Sequence, residues 1–528
     1  MKILISVLTE EIEKILKKSN KTTCQLDPIP TTILLELPSI LPVLTNIINK
    51  ALNTGQFPSS LKSAIVKPLL KKSSLDSEIY KNFRPVSNLP FISKLLEKVI
   101  AIQLLEHMKN NDILDKLQSA YKQGHSTETA LLRVHNDIVN IVDQGKCAFL
   151  VLLDLSAAFD TVDHNILLSF LRDHVGLSGN VLSMFESYLV GRTQCISIHN
   201  ILSSMSELLF GVPQGSVLGP IIFCTYTIPL GAILRSHNMS YHLYADDTQL
   251  YCASDAGMFS DTILKLESCV RDIRSWMITN KLKINDEKTE FLMISSSRSR
   301  VQLTESLRIG NTVVASTPFC RNLGVMFDNH STMTKHVSSV CRSAHFHLRN
   351  ISKIRPLLTD DATAQLIHAL ITSRLDYCNS LLYGIPDCLI HKLQRIQNIA
   401  CRILCRAPRA AEVNDLMFYL HWLPVRRRIQ FKILLFTYKA LNDLAPPYIA
   451  ELVNMYIPKK NLRSQHEYRL NPPKTKLKTY GDRGFEAASA KEWNILPLNI
   501  KLAPSLTTFK SHLKTHLFRQ HYEMDCDN

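Results

Sequence analysis

No apolar run in the 528 residues approaches the ~20 that a helix needs to cross a bilayer, so no membrane partner is expected. A secretory signal is also missing. The apolar patch in Met1–Lys18 is short and soon acidic, and it reads as an amphipathic helix instead. The 13 cysteines follow no regular framework, which excludes a disulfide-stapled scaffold and points to reduced thiols inside a cell, in nucleus or cytoplasm. Cys401 and Cys405 stand one helical turn apart. No second Cys or His pair lies at finger spacing, so core packing is expected there and zinc is not.

Net charge is nearly absent from the first 330 residues, with 32 Lys and Arg against 31 Asp and Glu. The remaining 198 carry 29 against 15, so they hold +14 of the total +15. With 45% apolar and 20% charged residues, the chain is an ordinary globular one, long enough for several domains. A basic balance of this size suggests an anionic partner, nucleic acid first, and the alternative is a solvated basic face.

What is present centres on Ser240–Tyr251. Two runs rich in aromatic and β-branched residues flank Asp246-Asp247, which reads as a hairpin with both carboxylates at its turn. No Lys or Arg lies within it, and a hard divalent cation is the natural neutraliser of paired carboxylates. A second stretch, Phe149–Asp160, is a buried strand ending on Asp154, with Phe159 five residues later. A third, Gly211–Pro220, is a Gly- and Pro-rich loop that would let backbone approach a ligand closely.

These boxes, Tyr244-Ala245-Asp246-Asp247, Asp154-Leu155-Ser156-Ala157-Ala158-Phe159-Asp160 and Gly211-Val212-Pro213-Gln214-Gly215-Ser216, resemble in type and order those of the reverse transcriptases of non-LTR, LINE-type retrotransposons. The resemblance runs from about Leu26 to Asp328. It implies an α+β, right-hand polymerase fold: fingers, a palm of antiparallel sheet packed on helices, and a helical thumb, followed by a basic C-terminal extension. The expected division is a helical extension over 1–60, fingers and palm over 61–330, thumb over 331–450 and the basic region over 451–528. Autonomous relatives place an endonuclease ahead of the polymerase. The stretch upstream is too short for one, and no zinc knuckle closes the chain, so a fragment of a longer element protein is expected.

Other stretches take their meaning from periodicity and from the resemblance together. A helix is expected through Leu41, Leu44, Ile47 and Ile48, ending at Gly55. Ser63–Leu70 reads as a strand; its Lys67 and the following Arg84 resemble the cations that meet an incoming triphosphate, and the planar fork of Arg84 suits phosphate oxygens. Arg84 paired with a surface acid is the alternative. Ser126 or Thr127 would cap a helix that touches template. Ile166, Leu167, Phe170 and Leu171 mark one helix, and Ile263, Leu266, Val270, Ile273 and Met277 another. Lys288 resembles the lysine placed near pyrophosphate, and Asn322–Asp328 the primer-grip hairpin. Beyond 330, Leu389, Leu393, Ile396, Ile399 and Ile403 line one helix face while Lys392, Arg395, Arg402 and Arg406 line others. Arg426, Arg427, Arg428 and Lys432 begin the next. Apolar in and cations out fits a grip on duplex phosphates, so removing 331–528 should flatten the salt dependence of binding. The Arg426 triplet is alternatively a nuclear-import signal. A compact piece forms around Trp493, Leu496-Pro497 and Phe509–Phe518.

The implied activity is RNA-directed DNA synthesis on a primer 3′-hydroxyl. Its partners would be an RNA template, a DNA primer, their duplex and dNTPs. Two Mg²⁺ ions, with Mn²⁺ as a substitute, would be held by Asp154, Asp246, Asp247 and the Leu155 carbonyl. Asp154 and Asp246 meet only if their strands are neighbours. Gln214 would lie near the incoming nucleotide, and Phe159 would exclude a 2′-hydroxyl. A catalytically silent, retroelement-derived nucleic-acid binder and a DNA-templated polymerase are the alternatives.

Overall fold

The structure is a computed structural model describing every residue except 21, 73, 157–158, 300–302, 458–466 and 523–528. Ala157 and Ala158 of the second box, and residues 458–466 of the basic loop expected after 457, therefore lie outside the described residues.

The chain begins with α1 (Thr9–Lys17), α2 (Thr31–Glu36) and α3 (Leu41–Thr54). Strands β1 (Ser63–Leu70) and β2 (Phe83–Asn88) lead into α4 (Phe91–Asn110) and α5 (Thr127–Asp143). Then come β3 (Cys147–Leu153), α6 (His164–Asp173), α7 (Gly179–Leu189), β4 (Thr193–Ile198), β5 (Ile201–Leu202) and β6 (Ser206–Glu207). Helices α8 (Leu218–Tyr226) and α9 (Pro229–Ser236) precede β7 (Ser240–Tyr244) and β8 (Asp247–Ser254). Next are α10 (Phe259–Thr279), β9 (Glu290–Ile294) and two hairpins, β10 (Ser306–Ile309) with β11 (Thr312–Ala315) and β12 (Phe319–Asn322) with β13 (Val325–Asp328). The rest is helical: α11 (Thr334–Ile354), α12 (Asp360–Ile367), α13 (Ser373–Asp376), α14 (Asp387–Cys405) and α15 (Val413–Tyr419). It ends with α16 (Val425–Leu441), α17 (Pro447–Ala450), α18 (Phe485–Ile495), α19 (Leu498–Lys501) and α20 (Leu506–Tyr522). The mixture of helix and antiparallel sheet is the expected α+β class.

Two compact units divide these elements. One comprises Met1–Tyr121, Asp154–Ser236 and Val270–Asn285; the other comprises Lys122–Leu153, His237–Cys269 and Asp286–Asn528. In the first, β1 pairs antiparallel with β2 and parallel with β4. Gly55 ends α3 in the left-handed region, where its φ of 66° suits a residue without Cβ. The expected helix at the start covers only α1. The residues before it are extended because Ile5 exchanges hydrogen bonds with the Gln103 side chain and Val7 with Asn49. One expectation is corrected outright: Leu218–Ser236 is long and apolar enough to span a membrane by composition, with mean hydropathy 1.4. It is mostly buried and packs on α4, so its apolar surface is spent in a protein core.

In the second unit the sheet order is β7-β8-β3-β9, antiparallel throughout. β3 is an interior strand, and its apolar run follows from burial on both faces. Phe149 meets Phe259 and Phe291 edge-on at 5.3 and 5.7 Å. Ser126 caps α5, its hydroxyl accepting from the Thr129 N–H at 3.1 Å. Helix α10 is divided between the two units; along it Leu266, Val270, Ile273 and Met277 are buried as their spacing predicts, and Ile263 is half-buried.

Helix α5 carries an unexpected load of buried polar contacts. Asp143 accepts from the N–H groups of Lys476, Leu477 and Gly481, and Asn136 accepts from that of Glu486. Glu128 accepts from the Ser380 N–H and hydroxyl and from Lys432. The piece around Trp493 is likewise joined to α16, where Tyr438 stacks on Phe509 at 4.1 Å within one apolar cluster.

Candidate active site

Pairing of β7 with β8 closes at Tyr244↔Asp247, which leaves Ala245-Asp246 as a two-residue turn. Ala245 has φ +56°, the left-handed region that a two-residue hairpin demands at its first turn position. For a residue with a Cβ this costs about 1–2 kcal/mol, so the stem must hold the turn in place. It does: the Tyr251 hydroxyl donates to Asp137 at 2.6 Å, Gln249 accepts from Asn322 at 2.7 Å, and buried His242 lies edge-on to Tyr448 at 4.8 Å. Asp246 is half-buried and Asp247 exposed.

β3 reaches the same end of the sheet. Leu153, the residue before Asp154, pairs with Thr248, the residue after Asp247. The strands of the two boxes are thus neighbours, which is the arrangement the spacing of the acids required. Asp154 and the residues after it are held in turn. Its carbonyl accepts from Asn285 at 2.8 Å, and Ser156 donates to the Lys283 carbonyl at 2.9 Å. Leu155 sits between these bonds opposite Ile284, and its own carbonyl takes no part in them. Among the described residues, no group of three or more His, Cys, Asp or Glu side chains stands at ligating geometry.

The third box folds as a loop over Phe159–Val162 and β2. Val212 donates to the Phe159 carbonyl at 2.9 Å, Gly211 to that of Val162 at 2.8 Å, and Ser87 to that of Gln214 at 2.7 Å. Two of its glycines allow close chain-on-chain contact. A Cβ on Gly211 would stand 2.7 Å from the Phe159 carbonyl oxygen, and one on Gly215 2.5 Å from that of Ser87. The Gln214 amide donates to both Asp160 oxygens at 3.0 and 3.1 Å, and with Asp160 and Ser87 it lines a cleft of 440 Å³. Phe159 is half-buried, its ring 4.9 Å from that of Phe223.

Two positioning residues escaped the sequence reading. Asp160, the last residue of its box, orients Gln214. Glu97, fully buried on α4, accepts from the N–H groups of Val217 and Leu218 at 2.7 and 3.0 Å and so fixes the end of the loop where α8 begins. Burial raises its carboxyl pKa, and the Arg192 guanidinium opposes that rise. The available signal was a lone acid on an otherwise apolar helical face.

Lys67 and Arg84 are exposed, and the register makes them diagonal neighbours on one face of β1–β2. Among the described residues Arg84 forms no ion pair. Lys288 is exposed on the single turn Asp286–Lys288 ahead of β9. The basic helices differ from expectation. Lys392 and Arg395 are exposed on α14, but Arg402 is half-buried and donates to the Ala411 carbonyl. Arg426 pairs with Asp387, Arg427 donates to Gln430, Arg428 pairs with Asp376 and Lys432 with Glu128. The partner acids lie far off in sequence, so a local run of cations could not reveal them. Cys401 packs with Met417 and Tyr522.

Residues 69–327 match the family described as reverse transcriptase (RNA-dependent DNA polymerase). The chain is 27% identical over 416 residues to the probable RNA-directed DNA polymerase from transposon X-element of Drosophila melanogaster, covering 75% of this chain and 43% of that protein. It is 26% identical over 385 residues to the corresponding protein from transposon BS of the same organism, covering 69% and 40%. It is 25% identical over 384 residues to the RNA-directed DNA polymerase from mobile element jockey of Drosophila funebris, covering 71% and 41%. The chain therefore spans about two fifths of the length of these curated relatives.

Proposed function

We infer, from residues 69–327 that match the reverse transcriptase family and from the likeness to RNA-directed DNA polymerases of Drosophila mobile elements, that the chain is a reverse transcriptase of the non-LTR, LINE type and extends a DNA primer along an RNA template. The observation that carries the reading is the register Leu153↔Thr248 beside the tight turn at Asp246, which makes the strands of two of the boxes neighbours in one sheet. In this reading the sheet β7-β8-β3-β9 is the palm and β1–β2–β4 belongs to the fingers. The helices after 331 are the thumb, followed by a basic C-terminal region.

The donors fit a hard divalent ion by their chemistry: carboxylates of Asp154, Asp246 and Asp247, with the Leu155 carbonyl as a further oxygen. Two Mg²⁺ ions, or Mn²⁺ in their place, would supply charge neutralisation at the attacking and leaving oxygens when bound. The chain's own residues do the rest by positioning, since phosphoryl transfer needs alignment more than covalent help. Lys67 and Arg84 present cations on one exposed strand face, where Arg84 can meet phosphate oxygens in a fork. Asp160 holds the Gln214 amide toward the nucleotide base. Phe159, backed by Phe223, fills the space that a 2′-oxygen would need. Lys288 lies ahead of β9, where it would meet pyrophosphate. RNA template, DNA primer, their duplex and dNTPs are the partners, inside the cell.

Primer extension on RNA and DNA templates of matched sequence tests this. Extension on RNA with dNTPs is the expected result. A well-folded chain that binds the duplex and extends on neither template would instead be a silent binder.

A further inference from the structure

A cleft of 940 Å³ opens between α11 and α14, wholly within the second unit and lined by no residue of the three boxes. Its lining contains Arg349, Arg355, Arg402, Arg406 and Arg409, and no Asp or Glu. Its apolar wall is Leu348, Pro356, Ile399 and Ile403. Ile399 and Ile403 belong to the α14 stripe expected to be core. Leu389, Leu393 and Ile396 are buried, while these two are only half-buried because they face the cleft.

The five arginines are not equivalent. Arg355 is buried and consumed: it donates to the carbonyls of Leu358, Ile403 and Leu404 and pairs with Asp360. In doing so it caps the carbonyl end of α14, whose dipole would otherwise repel an anion. The Nε of Arg402 is buried without a hydrogen-bond partner, an arrangement that normally costs free energy unless something accepts from it. Arg349, Arg406 and Arg409 are exposed at the rim.

We propose that this cleft binds a phosphorylated nucleotide unit of a single-stranded RNA, the phosphate held by Arg349, Arg402, Arg406 and Arg409 and the base against Ile399, Ile403 and Leu348. Its volume is in the range of sites that take small organic ligands. Recessed cations over an apolar floor suit a strand that can turn a base inward; a duplex shows such a floor only its outer phosphates. Choosing a nucleotide over another organic anion rests on the function proposed above.

The test uses the full chain and fluorescence anisotropy with a labelled single-stranded RNA. The double variant Arg349→Glu/Arg409→Glu, both exposed, should melt at the wild-type temperature. Its affinity for the RNA should fall about tenfold or more, and the slope of log affinity against log salt should shrink by about 1.4, two single-strand contacts at about 0.7 each. Affinity for an RNA–DNA duplex should change far less. AMP should displace the RNA from wild type at lower concentration than inorganic phosphate does. Unchanged RNA affinity in the variant, an equal loss for the duplex, or displacement by an acidic peptide better than by AMP would each overturn the inference. Binding is read without turnover, so a chain that holds RNA here but extends no primer keeps this site and loses the proposed activity.

Discussion

Helix α16 and the cleft of α11 and α14 are two arginine-rich surfaces of one region, similar in sequence and different in chemistry. On α16, Arg426, Arg427, Arg428 and Lys432 are each engaged by a side chain of the same unit. At the cleft, Arg349 and Arg409 stand at a rim whose lining holds no carboxylate. A count of +14 after residue 330 treats these alike. What separates them is where Asp376, Asp387 and Glu128 come to lie, and that is decided by tertiary packing. The same packing undermines the idea of deleting 331–528 to read its share of binding. Deletion would strip the partners from Glu128, Asn136 and Asp143 on α5, so point variants are the informative tools.

The largest test of how far burial governs these charges is pH. Desolvation lowers the pKa of His135 and of His242 to about 3, and that of His336 to about 4, with Arg483, Arg133 and Arg321 adding in turn. All three are buried and kept neutral. A depressed histidine pKa gives stability that is whole above the unfolded value near 6.5 and is lost as pH falls toward 3–4. Each group contributes up to about 1.4 kcal/mol per pH unit over that window. Denaturant melts between pH 7.5 and 4.5 should lose several kcal/mol; a flat profile would mean the three are solvated.

Next in size is Glu128→Gln, which removes the buried charge opposite Lys432 while keeping the shape. A loss of about 3 kcal/mol in denaturant unfolding is expected for breaking a buried pair. Arg426→Gln, at an exposed pair, should cost under about 0.5 kcal/mol and barely move the salt slope for duplex binding. If Arg426→Gln instead shrinks that slope by a full contact, the contrast between helix and cleft collapses.

Phe159 poses the same question of packing against function at a single ring, with an intermediate effect. Phe159→Val should raise ribonucleotide incorporation by an order of magnitude or more, roughly the 1–3 kcal/mol a poor fit can impose. The ratio of kcat/KM for dCTP over CTP decides it. A constant ratio with both activities reduced would make the ring, already against Phe223, a packing residue only.

What was legible was local. The hairpin at Asp246-Asp247, the strand ending at Leu153, the Ser126 cap and the stripe of α10 all follow from period, turn chemistry or capping over a few residues. What escaped was non-local. Glu97 meets the N–H groups of Val217 and Leu218, Asp143 meets those of Lys476, Leu477 and Gly481, and Arg428 meets Asp376. Periodicity marks a buried position but cannot say which backbone will arrive beside it. The apolar stretch Leu218–Ser236 shows the reverse limit, since composition alone does not tell a core helix from a membrane one.

The central claim is that Asp154, at the end of β3, works with the acids of the β7–β8 turn. The most direct measurement is primer extension on an RNA template at saturating Mg²⁺ by Asp154→Asn and Asp246→Asn, with a thermal melt of each. The account predicts wild-type melting and synthesis near zero for both, with Asp247→Asn severe but less so. Near-normal extension by a folded Asp154→Asn would contradict it.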